Sequence, residues 1–115
     1  MACILVIDDE EMVRQTLRLS LELSGYDVVE AETGEEGVRV FGESQVDLVV
    51  AEIKLPGKDG LQVIRGLNEK YQDVKVIAIT GYEPDDLDAA KGLGALKTFT
   101  KPLHIKEFVE QCRNS

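Results

Sequence analysis

A chain of 115 residues with 43% hydrophobic content has the length of one ordinary domain, spanning 1–115, and enough apolar mass for a single core. Its formal net charge of −9 argues against a nucleic-acid-binding surface, because phosphate backbones select basic patches, and favours cations or basic protein faces as partners. No apolar run approaches the roughly 20 residues of a membrane span, and the short stretch Ala2 to Ile7 runs at once into Asp8 to Glu11, so a soluble cytoplasmic protein without a signal peptide is expected.

In chain order, the first element is the β-branched run "CILVID", followed by a helix with Val13, Leu17 and Leu21 on one side and Gly25 as its stop. "YDVVEA" alternates more, as expected of a strand nearer an edge. The second helix opens at "TGEE", where Thr33 can cap and Glu36 can complete a capping box ahead of Val38 and Phe41. "VDLVVAE" is a third strand, "PGKDG" supplies a turn, and "GLQVIRGLNEKY" a helix with Leu61, Ile64 and Leu67 or Asn68 down one side and Gly66 lowering its propensity. After the fourth strand, "VKVIAIT", a short helix has Pro84 in its first turn, Asp85 and Asp86 at the positive end of its dipole, and Gly92 and Gly94 to cut it short. The strand "LKTFTK" and a helix with Ile105, Phe108, Val109 and Cys112 on its core side complete the chain. Cys3 and Cys112 lack metal-ligand spacing and are read as small buried or half-buried residues.

Strict alternation of strands and helices requires a parallel sheet with right-handed crossovers, an open doubly wound α/β sandwich. Its functional crevice lies at the carboxyl ends of the strands. There the first strand delivers Asp8 and Asp9, the third Glu52, the fourth Thr80 and the fifth Lys101. Packed carboxylates repel one another and must take up a proton or share a cation; a hard divalent ion with oxygen ligands, most simply Mg²⁺, satisfies them. Taken singly, Asp8 and Asp9 can be mere helix caps and Lys101 a surface ion pair; convergence on one mouth argues otherwise. A cis bond at Lys101–Pro102 would aim the amine over the crevice, although trans is the base-rate expectation for an X-Pro bond. Lys54 either holds its ammonium over the acids, in competition with Mg²⁺, or is a solvated lysine; the second is preferred because long exposed lysines seldom hold fixed pairs. The lone His104, at the start of the last helix, is read as a surface or capping residue.

The motifs "ILVIDDE", "VDLVVAEIKLPGKDG", "VIAITGY" and "GALKTFTKP" resemble, in order and spacing, those of the receiver domain of two-component response regulators, over essentially the whole chain. The resemblance implies a flavodoxin-like (βα)5 three-layer sandwich with strand order 2-1-3-4-5. It also implies phosphoryl transfer from a histidine kinase to an aspartate at the end of the third strand, with Mg²⁺. Carried over by position, Asp8 and Asp9 are the acidic pair that organises the metal, Asp9 the direct ligand of the two, with Glu52 and the backbone carbonyl of Lys54 completing the set. Thr80 is the hydroxyl that responds to the phosphoryl group and Lys101 its ion-pairing partner. The implied partner surface is the face made by the fourth helix, fifth strand and fifth helix, including Lys91, Lys97, Lys106 and the neighbourhood of Phe99. It would serve a kinase, an output domain or a homodimer.

Two positions depart from that pattern. Glu52 stands where the family has its phosphoacceptor aspartate, and Thr98 where it has a switching aromatic, with Phe99 next to it and facing the opposite side of the sheet. Glutamate extends about 1.5 Å further than aspartate. In-line attack tolerates such misplacement poorly, about 1 Å costing roughly 100-fold. The expectation is an atypical receiver, not an enzyme, in which phosphorylation is lost or mimicked and signalling goes through protein contacts. The alternative is a small metal-dependent phosphatase-type hydrolase using the Asp8, Asp9 and Glu52 cluster; it lacks an aspartate nucleophile with a second acid two residues on, and a cap segment. A flavin or nucleotide binder would need a Gly-rich phosphate loop where this chain has "DDEEM".

Overall fold

The computed structural model describes residues 2–55, 59–71, 73–81 and 84–115, with backbone alone for 84–87. Residues 56–58 of the expected "PGKDG" turn, and the side chains of Pro84, Asp85 and Asp86, lie outside the described residues. Among the described residues, strands and helices alternate without exception: β1 (Cys3–Ile7), α1 (Glu11–Leu23), β2 (Asp27–Ala31), α2 (Gly34–Glu43), β3 (Leu48–Glu52), α3 (Gly60–Lys70), β4 (Val76–Thr80), α4 (Pro84–Gly92), β5 (Lys97–Thr100) and α5 (Ile105–Arg113). All pairings are parallel and the sheet order is β2-β1-β3-β4-β5. The winding therefore reverses between β1 and β3, which places a crevice beyond their carboxyl ends.

Burial follows from that order. Every residue of β3 and β4 is buried, as the continuous apolar runs require of central strands covered on both faces, whereas β2, at the sheet edge, is only partly so. Period-two alternation divides the side chains between two cores. One gathers Leu5, Ile7, Val49, Ala51 and Ala78 against Val63, Ile64 and Leu67 of α3; the other gathers Ile4, Val6, Val50, Ile77 and Ile79 against Leu17 and Leu21 of α1 and Phe108 of α5.

Local signals act as the chemistry dictates. Helix α1 ends in a Schellman motif: Gly25, at φ 97°, donates to the Glu22 carbonyl and Tyr26 to that of Leu21. Thr33 caps α2 by accepting from the Glu36 N–H at 3.1 Å. A reciprocal capping box occurs at α3, where Asp59 accepts from the Gln62 N–H and the Gln62 side chain accepts from the Asp59 N–H. Sequence periodicity missed Val63, which is fully buried beside Ile64 and Leu67. Ile105 is half-buried, while Phe108, Val109 and Cys112 form the buried face of α5. Cys3 and Cys112 are free thiols, and burial pushes that of Cys112 up to about 12. His104 is the α5 N-cap residue, exposed and without a side-chain cap bond, which leaves it a surface residue.

Gly60 ties α3 to the end of β3. Its N–H donates to the Ile53 carbonyl at 2.8 Å, and a Cβ there would lie 2.1 Å from the Glu52 carbonyl oxygen and 2.6 Å from Ile53 Cα. Those contacts are backbone and cannot rotate away. Gly60→Ala is expected to destabilise the fold by about 1–3 kcal/mol through forced backbone shifts. Gly66→Ala, at an exposed α3 position with nothing within 4 Å of the added methyl, should stabilise it by about 0.5–1 kcal/mol. Urea unfolding of both variants checks the opposite signs.

Candidate functional site

The carboxyl ends of β1, β3 and the segment after β5 converge on one ammonium. Lys101 Nζ lies 3.0 Å from Asp8 Oδ2, 2.7 Å from Glu10 Oε1 and 2.8 Å from Glu52 Oε1. Asp8 and Glu52 are almost wholly buried, whereas Glu10 is half-exposed at the rim.

Each member is held from its own element. Asp8 follows β1: its N–H donates to the Ala31 carbonyl at 3.1 Å, its Oδ1 accepts from the Glu10 N–H at 2.9 Å, and its backbone carbonyl accepts from Arg14 Nη1 at 2.8 Å. Arg14 is buried, and its Nε donates to Glu30 Oε1 at 3.1 Å; Arg18 also pairs with Glu30. A guanidinium beneath the acidic end of β1 thus fixes its backbone, with its own charge met by Glu30. Glu52 ends β3. Its Oε2 accepts from the Ile53 N–H at 2.6 Å and more weakly from the Lys54 N–H at 3.4 Å, which leaves Oε1 for Lys101. The Lys101 N–H donates to the Thr80 carbonyl at 2.8 Å, continuing the β4–β5 ladder one residue past the strands. The Lys101–Pro102 peptide is cis, in place of the trans form that base rates favour, and Lys101 directs its amine into the mouth.

Electrostatics here is a balance between burial and pairing. Burial pushes the Asp8 carboxyl above the ordinary carboxylate value, against the opposing pull of the Glu10 N–H and of Lys101. Burial likewise raises Glu52, against Lys101 and the Ile53 and Lys54 amides. Burial tends to lower Lys101, but its ionic contacts with Glu10, Glu52 and Asp8 outweigh that and hold it protonated well above the ordinary lysine value. Asp8 Oδ2 is at ion-pair distance from Lys101 yet has no partner in hydrogen-bond geometry.

The structure therefore brings together Asp8, Glu52 and Lys101, with Thr80 buried at the end of β4 beside them. The carboxylates whose oxygens lie within 4.8 Å of one another are Asp8, Glu10 and Glu52; Asp9 is exposed and stands outside that trio. Glu10 was not singled out in the sequence, where it reads as one more acid ahead of a helix. Arg14 was also passed over, although it sits three residues before Leu17 on the same buried side of α1. Lys54 is exposed and contributes its N–H to Glu52. Thr98 pairs in register with Ala78, and Phe99 with Ile79; Phe99 packs edge-on against Phe108 at 5.1 Å, on the opposite face from Ala78, as alternation requires. Lys91 and Lys106 are exposed, while Lys97 Nζ donates to the Gln111 carbonyl near the end of α5.

The sequence matches the response regulator receiver domain over residues 4–113. The chain belongs to that family. It is 38% identical over 113 residues to the aerobic respiration control protein ArcA of Escherichia coli (strain K12), covering 96% of this chain and 47% of ArcA, so it spans about half the length of that relative. Among solved structures, the response regulator TrrA of Thermotoga maritima in complex with Mg²⁺ and BeF superposes with a TM-score of 0.91 at 33% identity, covering 99% of this chain and 98% of TrrA. A receiver domain protein from Clostridium thermocellum gives 0.92 at 29% identity, over 99% and 93%. Receiver domains are signalling modules of two-component systems. The hydrolase alternative finds no support in these relationships.

Removing Lys101 leaves two buried carboxylates without their cation. Lys101→Met is expected to destabilise the protein near neutrality by about 3 kcal/mol, the scale on which a buried pair loses one partner. A carboxyl whose folded pKa is raised favours the folded state below its unfolded value and loses that advantage as pH rises through the folded value. Without Lys101, Asp8 and Glu52 rise further, so the loss should shrink as pH falls towards the ordinary carboxylate value of about 4. Stability of both proteins by urea unfolding across that window tests this; a loss independent of pH would contradict it.

Proposed function

We propose that this chain is a receiver domain whose mouth is set by Glu52 itself and not by a cycle of phosphorylation, and that it signals through protein contacts. What carries the reading is the engagement of both Glu52 oxygens: one is ion-paired to Lys101 at 2.8 Å and the other accepts from the Ile53 and Lys54 amides. A carboxylate used in this way, on a stem one methylene longer than aspartate, is poorly placed for in-line attack on phosphorus. The charge it presents to Lys101 stands in for part of what a phosphoryl group supplies, one negative charge in place of about two.

The residues fit a divalent cation. Oxygens of Asp8 and Glu52, two of the proposed holders, lie within 4.8 Å of one another, and buried Asp8 Oδ2 faces the Lys101 ammonium at 3.0 Å without a partner in hydrogen-bond geometry, a donor set that suits a hard ion. Asp8, Asp9, Glu52 and the Lys54 carbonyl are the proposed holders of Mg²⁺, which would supply neutralisation of charge on an incoming phosphoryl group. The proposed roles of Thr80 and Lys101 are the responding hydroxyl and the ion-pairing cation. TrrA, solved with Mg²⁺ and BeF, supports the carry-over.

With Thr98 half-buried at the position of the usual switching aromatic, and Phe99 packed on Phe108, coupling to the face formed by α4, β5 and α5 must run without a swinging ring. The proposed partners at that face are a histidine kinase or another signalling protein, an output domain, or a second copy of the chain. Nucleic acid is not a proposed ligand of this acidic domain, and the proposed setting is the cytoplasm.

Intact-mass spectrometry after incubation with Mg²⁺ and acetyl phosphate, beside Glu52→Asp, tests the proposal. A phosphoryl mass on the variant and none on the parent is the expected result. An acid-stable, base-labile phosphoryl group mapping to Glu52 of the parent would overturn it.

A further inference from the structure

Glu10 is the α1 N-cap residue, yet its side chain makes no cap bond; its carboxylate is turned to Lys101, in the shortest of the three contacts at 2.7 Å. Its backbone is fixed independently, because its N–H donates to Asp8 Oδ1. An acid at a helix N-terminus ordinarily gains from the dipole and the free N–H groups. Here the side chain reaches across 91 residues of sequence instead.

We infer that Glu10 is a positioning residue that holds Lys101 on the Asp8 and Glu52 oxygens a divalent cation would need, and so weakens cation binding at the mouth. This rests on the proposal that the mouth accepts Mg²⁺. Lys101 Nζ lies within 3.0 Å of one oxygen from each of Asp8, Glu10 and Glu52. An ion coordinated at about 2.0–2.1 Å to the Asp8 and Glu52 oxygens, both among its proposed holders, would stand against the ammonium. Two cations cannot share those oxygens at contact distance, so Mg²⁺ enters only as Lys101 withdraws. The Glu10 bond opposes withdrawal directly, as a charge-assisted hydrogen bond. The attraction of Glu10 for the metal acts through water, since its side chain is 56% exposed. The direct hold therefore outweighs the field.

Two variants separate hold from field. Glu10→Gln removes the charge and weakens the hold to that of a neutral amide acceptor; Glu10→Asp keeps the charge but falls one methylene short of Lys101. In Mg²⁺ titrations of the whole chain, followed by the amide shifts of Ile53 and Lys54, both variants should bind Mg²⁺ about two- to fivefold more tightly than the parent, the range an ion pair at this exposure gives. Unchanged or weaker binding in both would overturn the inference while leaving the cation site standing. Tightening in Glu10→Asp alone still supports the hold, whereas tightening in Glu10→Gln alone contradicts it. If neither the parent nor a variant responds to Mg²⁺, the cation proposal falls and this inference with it.

Discussion

An ammonium surrounded by three carboxylates, two of them buried, is the constraint on which the rest of this structure depends. Burial of Asp8 and Glu52 disfavours their charged forms, and Lys101 offsets that cost. The arrangement is possible only because parallel winding brings β1, β3 and the segment after β5 to one edge of the sheet. The two apolar cores fix those strand ends from both faces, while Arg14 secures the Asp8 backbone from below and Gly60 lets α3 approach the Glu52 carbonyl. Packing and charge are thus coupled: a shift of the backbone at Ile53 changes what Lys101 can reach.

Within that frame, the proposed function turns on one methylene. The Glu52 carboxylate spans from its own strand end to Lys101 while folding its other oxygen back onto two backbone amides. In the proposed reading, the groups assigned to receive a phosphoryl group already have a negative charge beside them. Thr98 adds to this at the next layer, since a half-buried threonine has no ring to swing, and Phe99 is committed to the opposite core through Phe108.

Much of this was legible in the sequence, because the signals involved are local or periodic. Continuous apolar runs marked β3 and β4 as central, alternation marked β2 as an edge strand, and Thr33 and Gly25 marked helix ends through backbone chemistry. Glu52, Thr80 and Lys101 stood out because polar groups at the exits of buried strands need partners. Glu10 and Arg14 did not stand out, because their partners are remote in the chain: Glu10 meets Lys101, and Arg14 meets the Asp8 carbonyl and Glu30. An arginine on the apolar side of a helix reads as an interruption until the carbonyl it binds is in view. The Lys101–Pro102 step raised the cis isomer as a way to aim the amine but did not decide it, as tertiary context and not the dipeptide selects the isomer.

The central claim is that Lys101 and Glu52 stabilise each other as a buried pair. A double-mutant cycle tests it most directly, with urea unfolding of the parent, Lys101→Met, Glu52→Gln and the double variant. The account predicts that losing Lys101 costs less once Glu52 is neutral, with a coupling of at least about 1 kcal/mol between the two sites. Additivity within about 0.5 kcal/mol would contradict it, because Lys101 and Glu52 would then not depend on one another.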